Sequence, residues 1–275
     1  MHDVMQSPRS FYTTPQGLAT AARVAAAMRR IWPMLGGLSV LGVGDASACL
    51  AHLGDAGTRR LAASILSGPP AGGRADAVPL CVADECSLPF CDGAFDRLVL
   101  VHALRARTNP LPVLREASRV MKDDGRLLLA IPSRLAGRTR LRGTPFAADT
   151  AWTRGGIRQA LAAAMLRPER WDEALFLPVW PGAGAGPVFG AVASLFTRLG
   201  GMSSMHGLSV DRVGRLVCPG AAGVILVEAV RDVYCARPVA SGTGRRWLSR
   251  VVMPAHGAAR EHTRDDTPHG LNTLP

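Results

Sequence analysis

Five short, nearly continuous apolar runs punctuate the first half of the chain: Val40–Val43, Leu61–Leu66, Leu80–Ala83, Leu98–Val101 and Leu127–Ile131. None alternates apolar with polar residues. Continuous runs suit strands covered on both faces, as in a parallel sheet with helices on either side. Between them lie stretches with helical spacing. Leu18, Ala22, Ala25, Ala26 and Ile31 fall on one face of a segment that Pro33 ends. A second helix is expected around Ala46–Leu53, and a third begins beyond Asn109, with Leu111, Leu114, Val120 and Met121 apolar and Asp123, Asp124 and Gly125 as its stop.

The alternation of strand and helix predicts an α/β fold: a doubly wound, mostly parallel sheet of seven strands with helices on both faces. The sixth strand is expected within Pro168–Trp180 and the seventh within Ala221–Tyr234, with a helix over Ile157–Leu166 before them. Three parts follow: an N-terminal helical extension over 1–35, a main domain over 36–235 with an insertion near 181–207, and a tail over 236–275 expected to be disordered. The stretch Phe176–Thr197 is uncharged, but Pro178, Pro181, Pro187 and four glycines interrupt it. It does not read as a membrane span, which needs about 20 unbroken apolar residues. It reads as an insertion over one face of the sheet.

Composition narrows the chemistry. A chain of 275 residues with 48% hydrophobic and 19% charged residues can bury a sizeable core. The formal net charge of +11 invites a polyanion partner, yet the excess is diffuse. Residues 236–275 hold six arginines against Glu261, Asp265 and Asp266, a surplus of only three. Nucleic acid is therefore not the favoured partner. The six cysteines show no paired C-x-x-C spacing and no histidines at ligand spacing, so no metal is expected. The opening MHDVMQSPRS has no apolar signal core, which points to reduced thiols and a cytoplasmic setting.

Ligands of open α/β sheets sit at the carboxyl ends of the strands, and three stretches fall there: VLGVGDAS, VADECSLPF and LVHAL. With CDGAFDRLVL and LREASRVMKDDGRLLLAIP they occur in an order that resembles the class I S-adenosylmethionine-dependent methyltransferases, in particular the type 11 group. The resemblance covers roughly Val40–Pro132. It rests on Leu88, Pro89 and Phe90, then Asp92, Phe95 and Asp96, then His102, then Gly125, Arg126 and Leu127. It implies S-adenosyl-L-methionine as cofactor. Gly42, Gly44 and Asp45 would then lie at the cofactor turn, Asp84 would accept the adenine amino group, and Glu85 and Cys86 would flank the ring. His102 would face the methyl donor and serve as general base; alternatively it is a buried, hydrogen-bonded core histidine.

Two departures from the family pattern bear on binding. Its acidic residue and three glycines become Gly42, Gly44, Ala46 and Ala48, and alanine does not take positive φ at low cost. The second strand ends with Ser64 and Ser67 where the family carries a ribose-binding acid. The loss of that charge-assisted contact is worth about 1.5–3 kcal/mol. Two functions therefore stand: methyl transfer to a small-molecule, lipid-like or protein acceptor in a pocket roofed by Thr144–Trp152 and the insertion, or a catalytically inactive relative that binds a partner. Arg105, where the family has an acid, favours the second.

Overall fold

The structure, a computed structural model, describes residues 8–64, 78–105, 109–135, 141–176 and 220–232. The insertion at 181–207 and the tail at 236–275 lie outside the described residues, as do Leu66 and Ser67. In chain order the elements are helices α1 (Pro8–Tyr12) and α2 (Pro15–Ile31), strand β1 (Ser39–Gly44), α3 (Ser47–Ala51), β2 (Arg59–Ser64), β3 (Leu80–Val82) and β4 (Phe95–Val101). They continue with α4 (Leu111–Val120), β5 (Met121–Pro132), α5 (Arg154–Ala163), β6 (Leu166–Ala174) and β7 (Val224–Arg231).

The strands form one seven-stranded sheet in the order β3-β2-β1-β4-β5-β7-β6. Strands β1 to β5 pair in parallel, and β7 runs antiparallel to both β5 and β6. The chain leaves β1 to build one half of the sheet and returns to its other side with β4, so β1 and β4 flank the switch point. That is where an open α/β sheet offers a crevice.

Each apolar run is split residue by residue between two cores, which is why the sequence shows no alternation of apolar with polar. Val40, Ala62, Val99, Val101, Leu128 and Ala130 pack under α2 and α3, whereas Leu41, Val43, Leu98, Leu100, Leu127 and Leu129 pack under α4 and α5. The expected strands are present with shifted ends. The second begins and ends two residues early, at Arg59–Ser64, and the fifth is extended to Met121–Pro132 because Met121 pairs with Phe95 across a register shift.

The N-terminal segment holds two helices. Thr14 caps α2, its hydroxyl oxygen accepting from Gly17 N at 3.0 Å, and Pro15 takes the first turn, where its missing N–H costs nothing. A Cβ on Gly17 would stand 2.0 Å from Phe11 O, so α1 folds tightly back on α2 only because this position has no side chain. At the other end Trp32 Nε1 donates to the buried Glu228 Oε1 of β7 at 2.7 Å, which pins α2 to the sheet. With α2 fixed, α1 is held over the carboxyl ends of β1 and β4, where Tyr12 meets His102.

Candidate active site at the ends of β1 and β4

Gly44 closes β1 with φ +78°. A Cβ there would stand 2.3 Å from Val101 O and 2.8 Å from Ala103 N, so the chain's own β4 backbone demands the glycine. Asp45 N then donates to Val101 O at 3.0 Å. Gly42 serves packing of a different kind. Its Cβ would meet Leu50 Cδ1 at 2.5 Å and Ala46 Cβ at 2.8 Å, so its smallness seats α3 on the sheet. Ala46 and Ala48 are buried in the same core.

The loop after β4 is strained at His102, whose φ is +59°. Non-glycine residues adopt this region only where the surroundings fix them, and here they do. The ring is buried, lies 4.3 Å from that of Phe146, and has a partner on each nitrogen. Nδ1 is 2.5 Å from Asp149 Oδ2, and Nε2 is 2.8 Å from the Tyr12 hydroxyl. An ionised carboxylate only accepts, so Nδ1 carries the proton and donates to Asp149, and Nε2 accepts from Tyr12. Burial, then the neighbouring Cys49, Asp149 and Asp45, push the Tyr12 pKa well above its ordinary value, with Arg105 opposing. The phenol stays protonated and keeps its place as donor.

Two arginines complete the cluster. Arg105 Nε donates to Asp149 Oδ1 at 3.0 Å, and its Nη2 lies 3.8 Å from Asp45 Oδ2. That Nη2 is buried and makes no hydrogen bond among the described residues. Arg9 Nε reaches Asp45 Oδ1 at 3.4 Å. A connected polar network therefore runs from α1 through the β1 turn and the β4 loop to Asp149. The segment that carries Asp149 is fastened to the end of β5: Trp152 N donates to Pro132 O and Arg134 N to Trp152 O, both at 2.9 Å. On the far side of Asp149 opens a cavity of about 440 Å³, lined by Pro132, Ser133, Arg134, Leu141, Phe146 and Asp149 among others.

Of the residues singled out by sequence, His102, Gly44 and Asp45 come together here. Gly42 stands beneath α3. Asp84, Glu85 and Cys86 follow β3, two strands away from β1. Asp84 is exposed, and its Oδ1 accepts from Cys86 N at 2.9 Å; Glu85 is buried and Cys86 half-buried against the core. Sequence reasoning missed Tyr12, Arg9 and Asp149 as members of the site, and gave Arg105 no binding role. A polar FYTTP before a helix and a lone Asp in TPFAADT carry no spacing signal, because the fold alone brings them to His102.

Other residues of the recognised pattern act structurally. Asp96 accepts from Ser39 Oγ and Lys122 Nζ, both at 2.6 Å, and so ties the start of β1 to β4 and β5. Arg119 binds Glu116 and Asp92 and donates to the carbonyls of Leu88 and Phe90.

Residues 43–129 match a family model described as a methyltransferase domain. The demethylmenaquinone methyltransferase of Corynebacterium efficiens is 36% identical over 79 residues, which span 29% of this chain and 34% of that enzyme. A Haloferax volcanii protein solved in complex with the Trm112 methyltransferase activator shares the fold, with a TM-score of 0.53 at 17% identity, covering 82% of this chain and 99% of that one. Among the described residues no helix is long and apolar enough to cross a membrane. Residues 43–129 thus match a methyltransferase-domain family, and they lie within a seven-stranded sheet of the order β3-β2-β1-β4-β5-β7-β6.

Proposed function

We propose that the protein transfers a methyl group from S-adenosyl-L-methionine to an acceptor held in the cavity beside Asp149. The observation that carries this reading is the position of the His102–Asp149 pair, at the end of β4 with the Gly44 turn on one side and the 440 Å³ cavity on the other. Cavities of this size suit small-molecule ligands, of about 300–1,000 Å³.

The residues present fit the cofactor at two of three points. Arg105 Nη2, buried without an acceptor beside Asp45, would be completed by the cofactor's carboxylate. Asp84, exposed after β3, would take the adenine amino group, with Glu85 and Cys86 beside it. At the third point β2 ends in the buried Ser64, which brings no charge to the ribose. Bound there, the cofactor supplies an electrophilic methyl carbon on a sulfonium.

The chain's part is then to place the acceptor and take its proton. Asp149 lines the cavity and accepts a hydrogen bond from the acceptor's X–H. As X–CH3 forms, the X–H becomes strongly acidic, and Asp149 is the carboxylate placed to take the proton. Positioning supplies most of the acceleration in such a displacement. His102 and Arg105 hold the two Asp149 oxygens in place. Tyr12 fixes the ring from its other nitrogen.

One observation favours the non-catalytic alternative: both nitrogens of His102 are already taken, so the ring itself offers no lone pair to an acceptor. Calorimetry with S-adenosylhomocysteine separates the two readings. A folded chain that takes up the nucleoside with one-to-one stoichiometry supports the enzyme. A folded chain that gives no heat at millimolar ligand supports the alternative.

A further inference from the structure

The cavity beside Asp149 has a distinct polarity. Its buried floor carries Asp149, already engaged by His102 and Arg105, and Ser133, which is 4% exposed. Among the described residues the Ser133 hydroxyl has no hydrogen-bond partner, and it lines the cavity. The walls are apolar, built from Pro132, Leu141, Phe146 and Ala147. At the rim stands Arg134, exposed, whose guanidinium forms no ion pair or side-chain hydrogen bond among the described residues. Arg142, next to Leu141, is likewise exposed and unpaired. The sequence from 134 to 142 holds four arginines and no acid.

We infer that this cavity takes an amphipathic anion: an apolar body, an anionic group that pairs with Arg134 at the rim, and a hydrogen-bond donor that meets Asp149 and Ser133 at the floor. Charge sets the orientation. The negative floor repels an anionic head and accepts a donor, while the cationic rim does the reverse. A neutral apolar body alone would leave Arg134 unused, and a polyanion such as nucleic acid would meet the Asp149 charge within a cavity too small to hold it. Naming this occupant as the methyl acceptor rests on the methyl-transfer reading; the binding itself does not.

Titration of the full chain with decanoate, decyl phosphate and decanol, each below its micellar concentration and read by calorimetry, tests the inference. Both anions should bind at least about tenfold more tightly than decanol, the scale of one charge-assisted contact. The exposed substitution Arg134→Gln, with Arg142→Gln as its double variant, should bring both anions down to the decanol level and leave decanol unchanged. Ala147→Trp, which fills the cavity, should weaken all three. A preference for phosphate over carboxylate, or the reverse, identifies the head group and supports the assignment either way. Equal affinities for anion and alcohol, no loss in Arg134→Gln, or no binding of any probe would overturn it. S-adenosylhomocysteine binding, measured separately on the same samples, shows whether the methyl-transfer reading stands or falls independently.

Discussion

His102 and Asp149, 47 residues apart in sequence, meet at 2.5 Å with both side chains buried. The contact holds the loop after β4 against the segment that walls the cavity, and it gives a buried carboxylate the partner its charge needs. Asp149→Asn leaves His102 facing an amide and Arg105 with only the more distant Asp45 as an anion. It should lower stability by about 2–3 kcal/mol, the scale of hydrogen bonds to a charged group that are lost together. Tyr12→Phe removes one neutral hydrogen bond from the same ring and should cost only about 1 kcal/mol. Urea unfolding of both variants checks the ratio; equal losses would mean that Asp149 carries no special charge.

Gly44 gives a sharper structural test. Its positive φ costs an L-residue about 1–2 kcal/mol, and its Cβ would press on Val101 O and Ala103 N. Gly44→Ala should therefore lower the unfolding free energy by at least about 2 kcal/mol. The resemblance places Gly44 at the cofactor turn, where a ligand would be the first reason to exclude a side chain. The structure gives a nearer obstacle, the protein's own backbone, so a loss of binding in this variant would follow from misfolding. A Gly44→Ala protein as stable as the parent would contradict the turn as described.

Acid sensitivity has a named contributor. Burial raises the Asp96 pKa, but hydrogen bonds from Lys122 and Ser39 outweigh it and hold the group at about 2. A carboxylate whose folded pKa lies below its unfolded value stabilises the fold above the unfolded pKa, and that contribution fades as the pH falls toward the folded one. The parent should thus lose a stability increment between about pH 4 and pH 2. Asp96→Asn should start lower at neutral pH and show a shallower loss across that window. Parallel acid-unfolding curves for the two proteins would remove Asp96 from the account.

Much of the fold was legible because burial on both faces of a parallel sheet leaves continuous apolar runs, and Leu98–Val101 and Leu127–Ile131 could hardly be read otherwise. Strand ends were less legible. Met121 was assigned to the preceding helix because its apolar side chain fits either element, and only pairing with Phe95 decides for the strand. The polar cluster at the strand ends was legible where it is local: His102 and the Gly44–Asp45 turn sit at strand ends. Tyr12, Arg9 and Asp149 reach the same point from distant segments through tertiary contacts, and a polar residue in a turn gives no periodic signal of such a journey.

Burial also pushes the Cys49 thiol up to about 12, so it should stay unmodified by a thiolate-seeking reagent in the folded protein, while Cys91 is exposed. Mass spectrometry after brief labelling should find Cys91 modified and Cys49 intact until denaturant is added. Early modification of Cys49 would show that the packing beneath α2 and α3 opens.

Cofactor binding tests the central claim most directly. Calorimetry of the full chain with S-adenosylhomocysteine should show one site, and Asp84→Asn and Arg105→Gln should each weaken it by about 1.5–3 kcal/mol, the scale of a hydrogen bond to a charged group. Circular dichroism on the same samples establishes that the variants are folded. The account predicts saturable binding that both substitutions weaken; a folded parent that takes up no ligand at millimolar concentration would contradict it.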